Sequence, residues 1–202
     1  MSIYGVILAG GGGRRLGGAN KSKIRLGSKS LATYVYNQLL GQTDAICVTN
    51  AIAQITSAWP KTVACIIDPF SPQIGPLGGI SAGYEWAVAL GAAEQNDYLL
   101  VTPVDTPLFP ENFVKYMLNG KDGADVFVAR YGDQEYPTCS LWRCGAAARI
   151  AATRASARNN SIKGYLEELD VDYVDFSAIC SNNPFKNVNK ISDLIELSAR
   201  AA

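Results

Sequence analysis

Residues 3–23 read IYGVILAGGGGRRLGGANKSK. The apolar run at 3–8 leads into glycine and is typical of a buried parallel strand, while the four consecutive glycines at 10–13 can adopt backbone angles that a side chain forbids. Four basic residues follow in the same loop, at Arg14, Arg15, Lys21 and Lys23. Free amides and positive charge are therefore presented together, which suits a polyphosphate. A flexible surface loop is the alternative, but glycine directly after a first strand lies where open α/β sheets bind ligands.

Two familiar phosphate-binding loops do not fit this stretch. The Walker pattern ends in Gly-Lys-Ser/Thr, but here Lys21 and Ser22 follow Ala19 and Asn20. The dinucleotide fingerprint needs a third glycine three positions after the second, and no alignment within residues 10–18 supplies it. Both patterns are excluded by their spacing.

Composition describes an ordinary globular protein. The chain has 202 residues, 48% of them hydrophobic, and a formal net charge of +0 at pH 7, which predicts a single domain over residues 1–202. The absence of a basic excess argues against a nucleic-acid partner. No apolar run is long enough to span a bilayer and no signal peptide precedes the first strand, so we expect no membrane contact and a cytoplasmic location.

The residue types that are missing narrow the chemistry. Histidine is absent, which excludes histidine general bases, Ser-His and Cys-His nucleophilic pairs and most catalytic zinc sites. The five cysteines are odd in number and form no Cys-x-x-Cys pair, so free thiols in a reducing compartment are expected. Catalysis then depends on carboxylates, Lys or Arg side chains, amides and an oxygen-bound cation.

Beyond the first loop, the pattern of apolar residues alternates between strand and helix. Strands are predicted at 45–49, 62–67, 98–102, 124–130, 137–142 and 171–176, and helices at 31–40, 51–59, 77–91, 110–118, 146–154, 162–169 and 191–199. This alternation predicts an α/β domain with a mostly parallel sheet.

An aspartate, Asp105, lies just past the strand at 98–102 and is stiffened by Pro103 and Pro107. A carboxylate at this edge of the sheet can hold Mg²⁺, which prefers oxygen ligands and bridges phosphates. The structural alternative, a cap for the helix beginning near Pro110, is disfavoured because Asp105 lies five residues before it.

Three further segments present polar groups after predicted strands. Asp68 opens a turn that reaches Gly78 and Gly79 at a helix start, where glycine weakens the helix but permits close approach of a ligand; an ordinary strand-to-helix turn is the alternative. Asn50 ends a strand and is equally well explained as a turn residue. Asn187 and Asn189 point the same way on an extended segment and could address one ligand, although Asn189 or Ser192 could instead cap the last helix.

The opening loop resembles the signature of the nucleotidyltransferases, and within them the molybdenum cofactor guanylyltransferases most closely. That signature is Leu-Ala-Gly-Gly-x-x-x-Arg-(Met/Leu)-Gly-x-x-x-Lys, and the chain matches it with Leu8, Ala9, Gly10, Gly11, Arg15 and Lys21. The resemblance continues in order to Leu194, through the segments at 68–79, 105–107, 137–141 and 185–194. The chain departs from the family at Lys190 and Ile191, where the family has Thr-Pro.

The resemblance implies a Rossmann-like three-layer sandwich of the nucleotide-diphospho-sugar transferase type. It implies transfer of GMP from GTP to the phosphate of molybdopterin-bound molybdenum cofactor, with Mg²⁺ as cofactor and pyrophosphate as product. By the same resemblance GTP is bound by Leu8, Ala9, Gly10, Gly11, Lys21, Asn50, Asp68, Gly78 and Asp105. The implied catalytic residues are Arg15, Lys21 and Asp105, with Asp105 as metal ligand, and the acceptor contacts are Asn187 and Asn189.

Several points stay open at the level of sequence. Counting from Lys21 places the family's asparagine contact at Thr49 or Asn50. A related transferase that uses CTP or a sugar-phosphate acceptor, and a GTP-binding module without catalysis, are the alternative functions. The resemblance also implies apo-molybdoenzymes and a GTP-binding adaptor as partners, but no residue marks a surface for either.

Overall fold

The computed structural model describes residues 1–10, 20–50, 58–68, 75–153 and 161–201. Its strands are β1 (Ile3–Leu8), β2 (Arg25–Leu26), β3 (Lys29–Ser30), β4 (Ala45–Asn50), β5 (Ala64–Ile67), β6 (Tyr98–Pro103), β7 (Val126–Tyr131), β8 (Gln134–Arg143) and β9 (Val171–Asp175). Its helices are α1 (Leu31–Leu40), α2 (Pro76–Ala89), α3 (Phe113–Met117), α4 (Cys144–Thr153), α5 (Ile162–Leu166) and α6 (Ile191–Ala201).

Seven strands form one sheet in the order β5-β4-β1-β6-β8-β7-β9. All of them are parallel except β8, which runs antiparallel to both β6 and β7. The chain builds outward from β1 through β4 to β5, and then crosses back to place β6 on the other side of β1. This reversal opens a crevice at the carboxyl ends of β1 and β6, which is where open α/β sheets bind ligands.

Helices cover both faces of the sheet, because side chains alternate between the faces along each strand. In β1, Ile3 and Ile7 pack with α1 and α3 on one face, whereas Tyr4, Val6 and Leu8 pack with α2, α4 and α5 on the other. The predicted three-layer α/β sandwich with a mostly parallel sheet is therefore confirmed. A smaller cluster of Leu26, Leu31, Val188 and Leu197 holds α6 against β2. None of the helices within the described residues is long and apolar enough to cross a bilayer.

The predicted elements differ from the observed ones mainly at their ends. The strand predicted at 62–67 begins at Ala64, because the backbone N–H of Val63 closes a turn onto the carbonyl of Pro60. The helix predicted at 110–118 is reduced to Phe113–Met117, after a turn in which Phe113 N–H donates to Pro110. The hairpin of β2 and β3 was not predicted, since two-residue strands carry no alternating pattern. The helix predicted at 51–59 lies largely outside the described residues.

We expect Gly83→Ala to destabilise the fold, because Gly83 lets α2 pack directly on β1. A Cβ atom at this position would lie 2.6 Å and 2.7 Å from the two Cγ atoms of Val6, and forcing extra volume into a packed core costs about 1–3 kcal/mol. Urea unfolding monitored by circular dichroism should show the loss. Gly41→Ala is the matched control, since its Cβ would meet open space at a φ of −88°. Equal unfolding midpoints for the two variants would contradict this account of the α2–β1 contact.

Candidate active site

A cavity of about 350 Å³ opens at the carboxyl ends of the central strands, a size suited to a small-molecule ligand. Its walls come from the ends of β1, β4 and β6, the residues directly after β1, β5 and β6, Lys21, the start of α2, and two later segments. The lining residues are Leu8, Ala9, Gly10, Lys21, Thr49, Asp68, Gly75, Pro76, Gly79, Pro103, Val104, Asp105, Thr138 and Asn187. Segments separated by nearly the whole chain, from Leu8 to Asn187, thus meet in one place.

Backbone hydrogen bonds fix the strand ends around this cavity. The N–H of Ala9 donates to the carbonyl of Thr49 at 2.9 Å, and the N–H of Val104 donates to the carbonyl of Leu8 at 3.1 Å. These bonds continue the parallel ladders past the ends of the strands, so the loops leave the sheet at defined points. Leu8, Ala9 and Gly10 all line the cavity, as expected for the opening loop. The predicted contacts Gly11 and Arg15 lie outside the described residues.

Lys21 and Asp105 form the central charged contact of the cavity. Lys21 begins a short 3-10 turn at Lys21–Lys23, which Asn20 caps by accepting from Ser22 N–H. Its Nζ donates to Oδ2 of Asp105 at 2.6 Å and to Oδ1 of Asn189 at 2.9 Å. The side chains of Lys21 and Asp105 are only 17% and 14% exposed, so the pair is largely shielded from water. The structure therefore brings together two of the three residues predicted to be catalytic.

The second carboxylate oxygen of Asp105 indicates where a cation fits. Oδ1 is buried and has no hydrogen-bond partner among the described residues, and an unsatisfied buried carboxylate oxygen is costly unless a ligand binds it. No group of three or more acidic, Cys or His side chains that could hold a metal occurs within the described residues. A divalent metal held by one carboxylate, with phosphates and water as its other ligands, fits this arrangement.

The glycine pair at the start of α2 is explained by close packing on both sides. A Cβ on Gly78 would lie 2.0 Å from Oδ2 of Asp68, and one on Gly79 would lie 2.6 Å from Leu8 Cδ2 and from Thr49 Oγ1. Asp68 and Gly79 line the cavity, whereas Gly78 backs the Asp68 carboxylate. The absence of a side chain at Gly78 thus leaves room for the carboxylate of Asp68, which is a predicted nucleotide contact. A contact of Gly78 itself with a nucleotide remains a prediction.

Thr49 and Asn50, the two candidates for one nucleotide contact, are placed differently. Thr49 lines the cavity, is 1% exposed, and its hydroxyl has no hydrogen-bond partner among the described residues. Asn50 is the last residue of β4 and pairs with Ile67 in the ladder to β5. The structure gives no description of the Asn50 side chain, so its predicted role stays a prediction.

The segment that carries Asn187 and Asn189 is fixed against the Asp105 loop. The N–H of Val188 donates to the carbonyl of Asp105 at 2.8 Å, and Thr106 Oγ1 donates to Asn187 Oδ1 at 2.9 Å. Val188 itself is fully buried. Asn187 lines the cavity, while the side chain of Asn189 lies behind Lys21 as its hydrogen-bond acceptor. The two amides are thus brought to the same site but address different neighbours.

Asp193 anchors the same segment from the first turn of α6. Its Oδ2 accepts from the N–H groups of Asn189 at 2.9 Å and Lys190 at 3.0 Å. Burial by itself raises the pKa of Asp193, but these two hydrogen bonds outweigh it and the pKa is held below its ordinary value. The carboxylate therefore stays charged and keeps Asn189 in place. An acidic residue three positions after Lys190 is a sequence signal for the start of a helix, and the sequence analysis did not use it.

Thr138 is a lining residue that the sequence analysis did not assign. The pairing of β7 with β8 jumps from Val128–Ser140 to Ala129–Tyr136, so a bulge on β8 turns Thr138 into the cavity. A bulge leaves no clear trace in the sequence pattern. The neighbouring Cys139 is buried, and both burial and the nearby charge of Asp105 raise the pKa of its thiol. The buried thiol is therefore neutral at pH 7, and Cys139 serves as a packing residue rather than as a nucleophile.

Comparison with known proteins gives matches over most of the chain. The family described as "MobA-like NTP transferase domain" matches residues 5–171. The molybdenum cofactor guanylyltransferase of Cereibacter sphaeroides is 33% identical over 198 residues, covering 96% of this chain and 94% of that protein. The protein of the same name from Vibrio cholerae serotype O1 is 31% identical over 195 residues, covering 96% and 90%.

A solved structure shows the same fold. The crystal structure of molybdopterin-guanine dinucleotide biosynthesis protein A from Archaeoglobus fulgidus aligns with a TM-score of 0.75, at 20% identity and over 98% of both chains. The resemblance predicted from the opening loop is confirmed by these matches. The chain belongs to the MobA-like NTP transferase family and is a nucleotidyltransferase.

Proposed function

We propose that this protein transfers GMP from GTP to the terminal phosphate of molybdopterin-bound molybdenum cofactor. An oxygen of the acceptor phosphate attacks the α-phosphorus of GTP, a new phosphoanhydride bond forms, and the bond from the α-phosphorus to the β-phosphate oxygen breaks. Pyrophosphate leaves with the negative charge. The relatives named for this activity match nearly the whole chain, and the contact of Lys21 with Asp105 in the cavity is the observation that carries the proposal.

Positive charge around the phosphates is the main contribution of the chain itself. Lys21 lies in the cavity with its ammonium group against Asp105, where it can shift to phosphate oxygens as GTP enters. Arg15 follows in the same glycine-rich loop. A cation in a partly shielded site stabilises the charge that develops on the departing pyrophosphate. We assign Lys21 and Arg15 to this role.

Asp105 is the residue we assign to Mg²⁺. Its Oδ1 is buried and has no hydrogen-bond partner among the described residues, which supports a cation as its ligand. An ion held by Asp105 would supply divalent positive charge next to the phosphates of the nucleotide. The backbone carbonyl of Asp105 accepts from Val188 N–H, so the carboxylate is held at a fixed place beside the phosphates.

The reaction needs no general base from the protein. The acceptor is a phosphate, and its oxygens are ionised at neutral pH. This agrees with the complete absence of histidine from the sequence. Positioning and charge are therefore sufficient for catalysis.

We assign the nucleoside end of GTP to the side of the cavity built by Asp68, Thr49 and Gly79. Close packing of Gly79 against Leu8 and Thr49 brings the backbone of α2 to the cavity wall. Asp68 provides a carboxylate acceptor for a nucleotide N–H or O–H group. The acceptor phosphate then enters from the side of Asn187 and Thr138.

We propose that residues 1–202 act as one nucleotidyltransferase domain in the cytoplasm. All five cysteines are free thiols, which supports a reducing compartment. Apo-molybdoenzymes and a GTP-binding adaptor remain proposed partners, on the basis of the family resemblance alone.

Asp105→Asn should abolish most turnover while the protein stays folded. Asparagine keeps the shape of the side chain but removes the charge that holds the cation, and loss of one electrostatic contact to the transition state typically costs about 10²–10³-fold in kcat. Pyrophosphate release from GTP, Mg²⁺ and molybdenum cofactor measures the loss. Asp122→Asn, in an exposed turn before β7, is the control. Near-normal turnover of Asp105→Asn would refute the metal assignment.

Lys21→Met should separate catalysis from metal binding. The Lys21 ammonium donates to Oδ2 of Asp105 and so competes with a cation for the carboxylate. A hydrogen bond between charged groups contributes roughly 1.5–3 kcal/mol, so Mn²⁺, measured by electron paramagnetic resonance without nucleotide, should bind about tenfold more tightly to the variant. Turnover should fall at the same time. Weaker Mn²⁺ binding would show that Lys21 supports the cation site rather than competing for it.

Nucleotide preference distinguishes the proposed activity from transfer of CMP. GTP with Mg²⁺ at a hundred times its Kd should raise Tm by about 5–10 °C, because a ligand that binds only the folded state stabilises it by roughly 2.7 kcal/mol at that ratio. CTP, ATP and UTP at the same concentration should have smaller effects. A larger shift with CTP would assign a different nucleotide. Binding of GTP without pyrophosphate release in the presence of acceptor would indicate a non-catalytic module.

A further inference from the structure

We propose that Thr106 is a positioning residue that orients the side-chain amide of Asn187, so that its NH₂ group faces the cavity. Thr106 follows the metal-binding Asp105 directly in the sequence and is fully buried. It does not line the cavity, so it acts through Asn187, which does. The consequence for substrate binding rests on the proposed function, whereas the orientation itself does not.

The hydroxyl of Thr106 determines which end of the amide is available. Its Oγ1 lies 2.9 Å from Oδ1 of Asn187, and an amide oxygen can only accept, so the hydroxyl donates. The two ends of a side-chain amide point in different directions, and Nδ2 is therefore directed away from Thr106. Nδ2 makes no hydrogen bond to any other described residue, so it remains available to a ligand.

The backbone around Asn187 is held by other contacts, so Thr106 is needed only for the orientation of the side-chain amide. Val188 N–H donates to the Asp105 carbonyl, and the fully buried Val188 side chain packs with Leu26, Leu31 and Leu197. Within the part of the chain that the structure describes, Thr106 alone hydrogen-bonds the Asn187 side chain. Removing its hydroxyl should therefore free the amide without moving the segment.

The orientation matters because the proposed acceptor is an anion. An NH₂ group facing the cavity donates to phosphate oxygens, whereas a carbonyl in the same place would repel them. Lys21 adds a second donor to the cavity. Two adjacent residues thus have different roles in the proposed reaction. Asp105 holds the cation, and Thr106 orients the Asn187 amide so that a hydrogen-bond donor faces the acceptor phosphate.

Thr106→Val tests this inference, because valine matches the shape of threonine and lacks only the hydroxyl. We expect the KM for the molybdenum cofactor to rise about threefold to tenfold, the size of one hydrogen bond, while the KM for GTP stays unchanged. General damage to the Asp105 loop would raise both. Thr106→Ser should restore the wild-type KM. Thr102→Val is the matched control, since Thr102 is also fully buried and its hydroxyl, like that of Thr106, lies beside the Cys139 thiol but makes no hydrogen bond to Asn187.

Two variants of Asn187 complete the test. In an Asn187→Ala background, Thr106→Val should have no further effect on the KM for the cofactor; additive effects would overturn the inference. Asn187→Asp should be worse than Asn187→Ala, because its second oxygen would face the anionic acceptor. If Asn187→Asp were instead milder, the amide oxygen faces the cavity and the inference is wrong.

The orientation can also be followed without turnover. In wild-type protein labelled with ¹⁵N-asparagine, the Asn187 side-chain amide, identified by its loss in Asn187→Ala, should be rigid. In Thr106→Val its order parameter should fall below about 0.6, and an unchanged value would overturn the inference. If the wild-type protein transfers no GMP to the cofactor, the proposed function fails, and this measurement alone then decides the role of Thr106.

Discussion

The parallel pairing of β1 with β4 on one side and β6 on the other is the constraint on which the site depends. Because all three strands end at the same edge, the residues that follow them meet whatever their separation in sequence. The bonds from Ala9 to Thr49 and from Val104 to Leu8 extend this pairing into the loops. Lys21 and Asp105, which are 84 positions apart, come within hydrogen-bond distance as a result. The pairing of the strands, rather than the loops alone, therefore determines where these two charged side chains lie.

A second set of contacts closes the site from the far end of the chain. The segment before α6 docks on the Asp105 loop through Val188, and Asp193 holds its backbone in place. Burial of Val188 beside Leu31 and Leu197 supplies the apolar part of this docking. The proposed nucleotide and acceptor sides of the cavity are thus joined at one residue, Asp105, whose side chain contacts Lys21 and whose backbone carbonyl accepts from Val188 N–H.

The sequence was informative where a residue type has few physical uses. The glycine run after an apolar strand and the aspartate between prolines predicted a binding site at this edge of the sheet, and Gly10 and Asp105 both line the cavity there. The sequence also predicted that Asn187 and Asn189 address one ligand. It did not show that Asn187 lines the cavity while Asn189 accepts a hydrogen bond from Lys21. That distinction depends on side-chain directions set by tertiary contacts. Gly78 shows the same limit: the sequence pattern does not reveal that its lack of a side chain makes room for the Asp68 carboxylate.

The elements that sequence failed to predict are those defined by register rather than by pattern. Short strands such as β2 and β3 bury too few residues to show alternation. The displaced pairing of β8, which directs Thr138 inward, changes no residue type and so leaves the apolar pattern intact. Both features depend on which residue of one strand lies opposite which residue of another.

The single reversed strand has an evolutionary consequence. Because β8 runs against its neighbours, its beginning rather than its end lies beside the pocket, and the β7–β8 hairpin carries Thr138 there without contributing to the wall formed by β1, β4 and α2. This hairpin could therefore change in evolution to fit a different second substrate while the proposed nucleotide side of the cavity stays as it is. Such modular divergence requires no rearrangement of the parallel core.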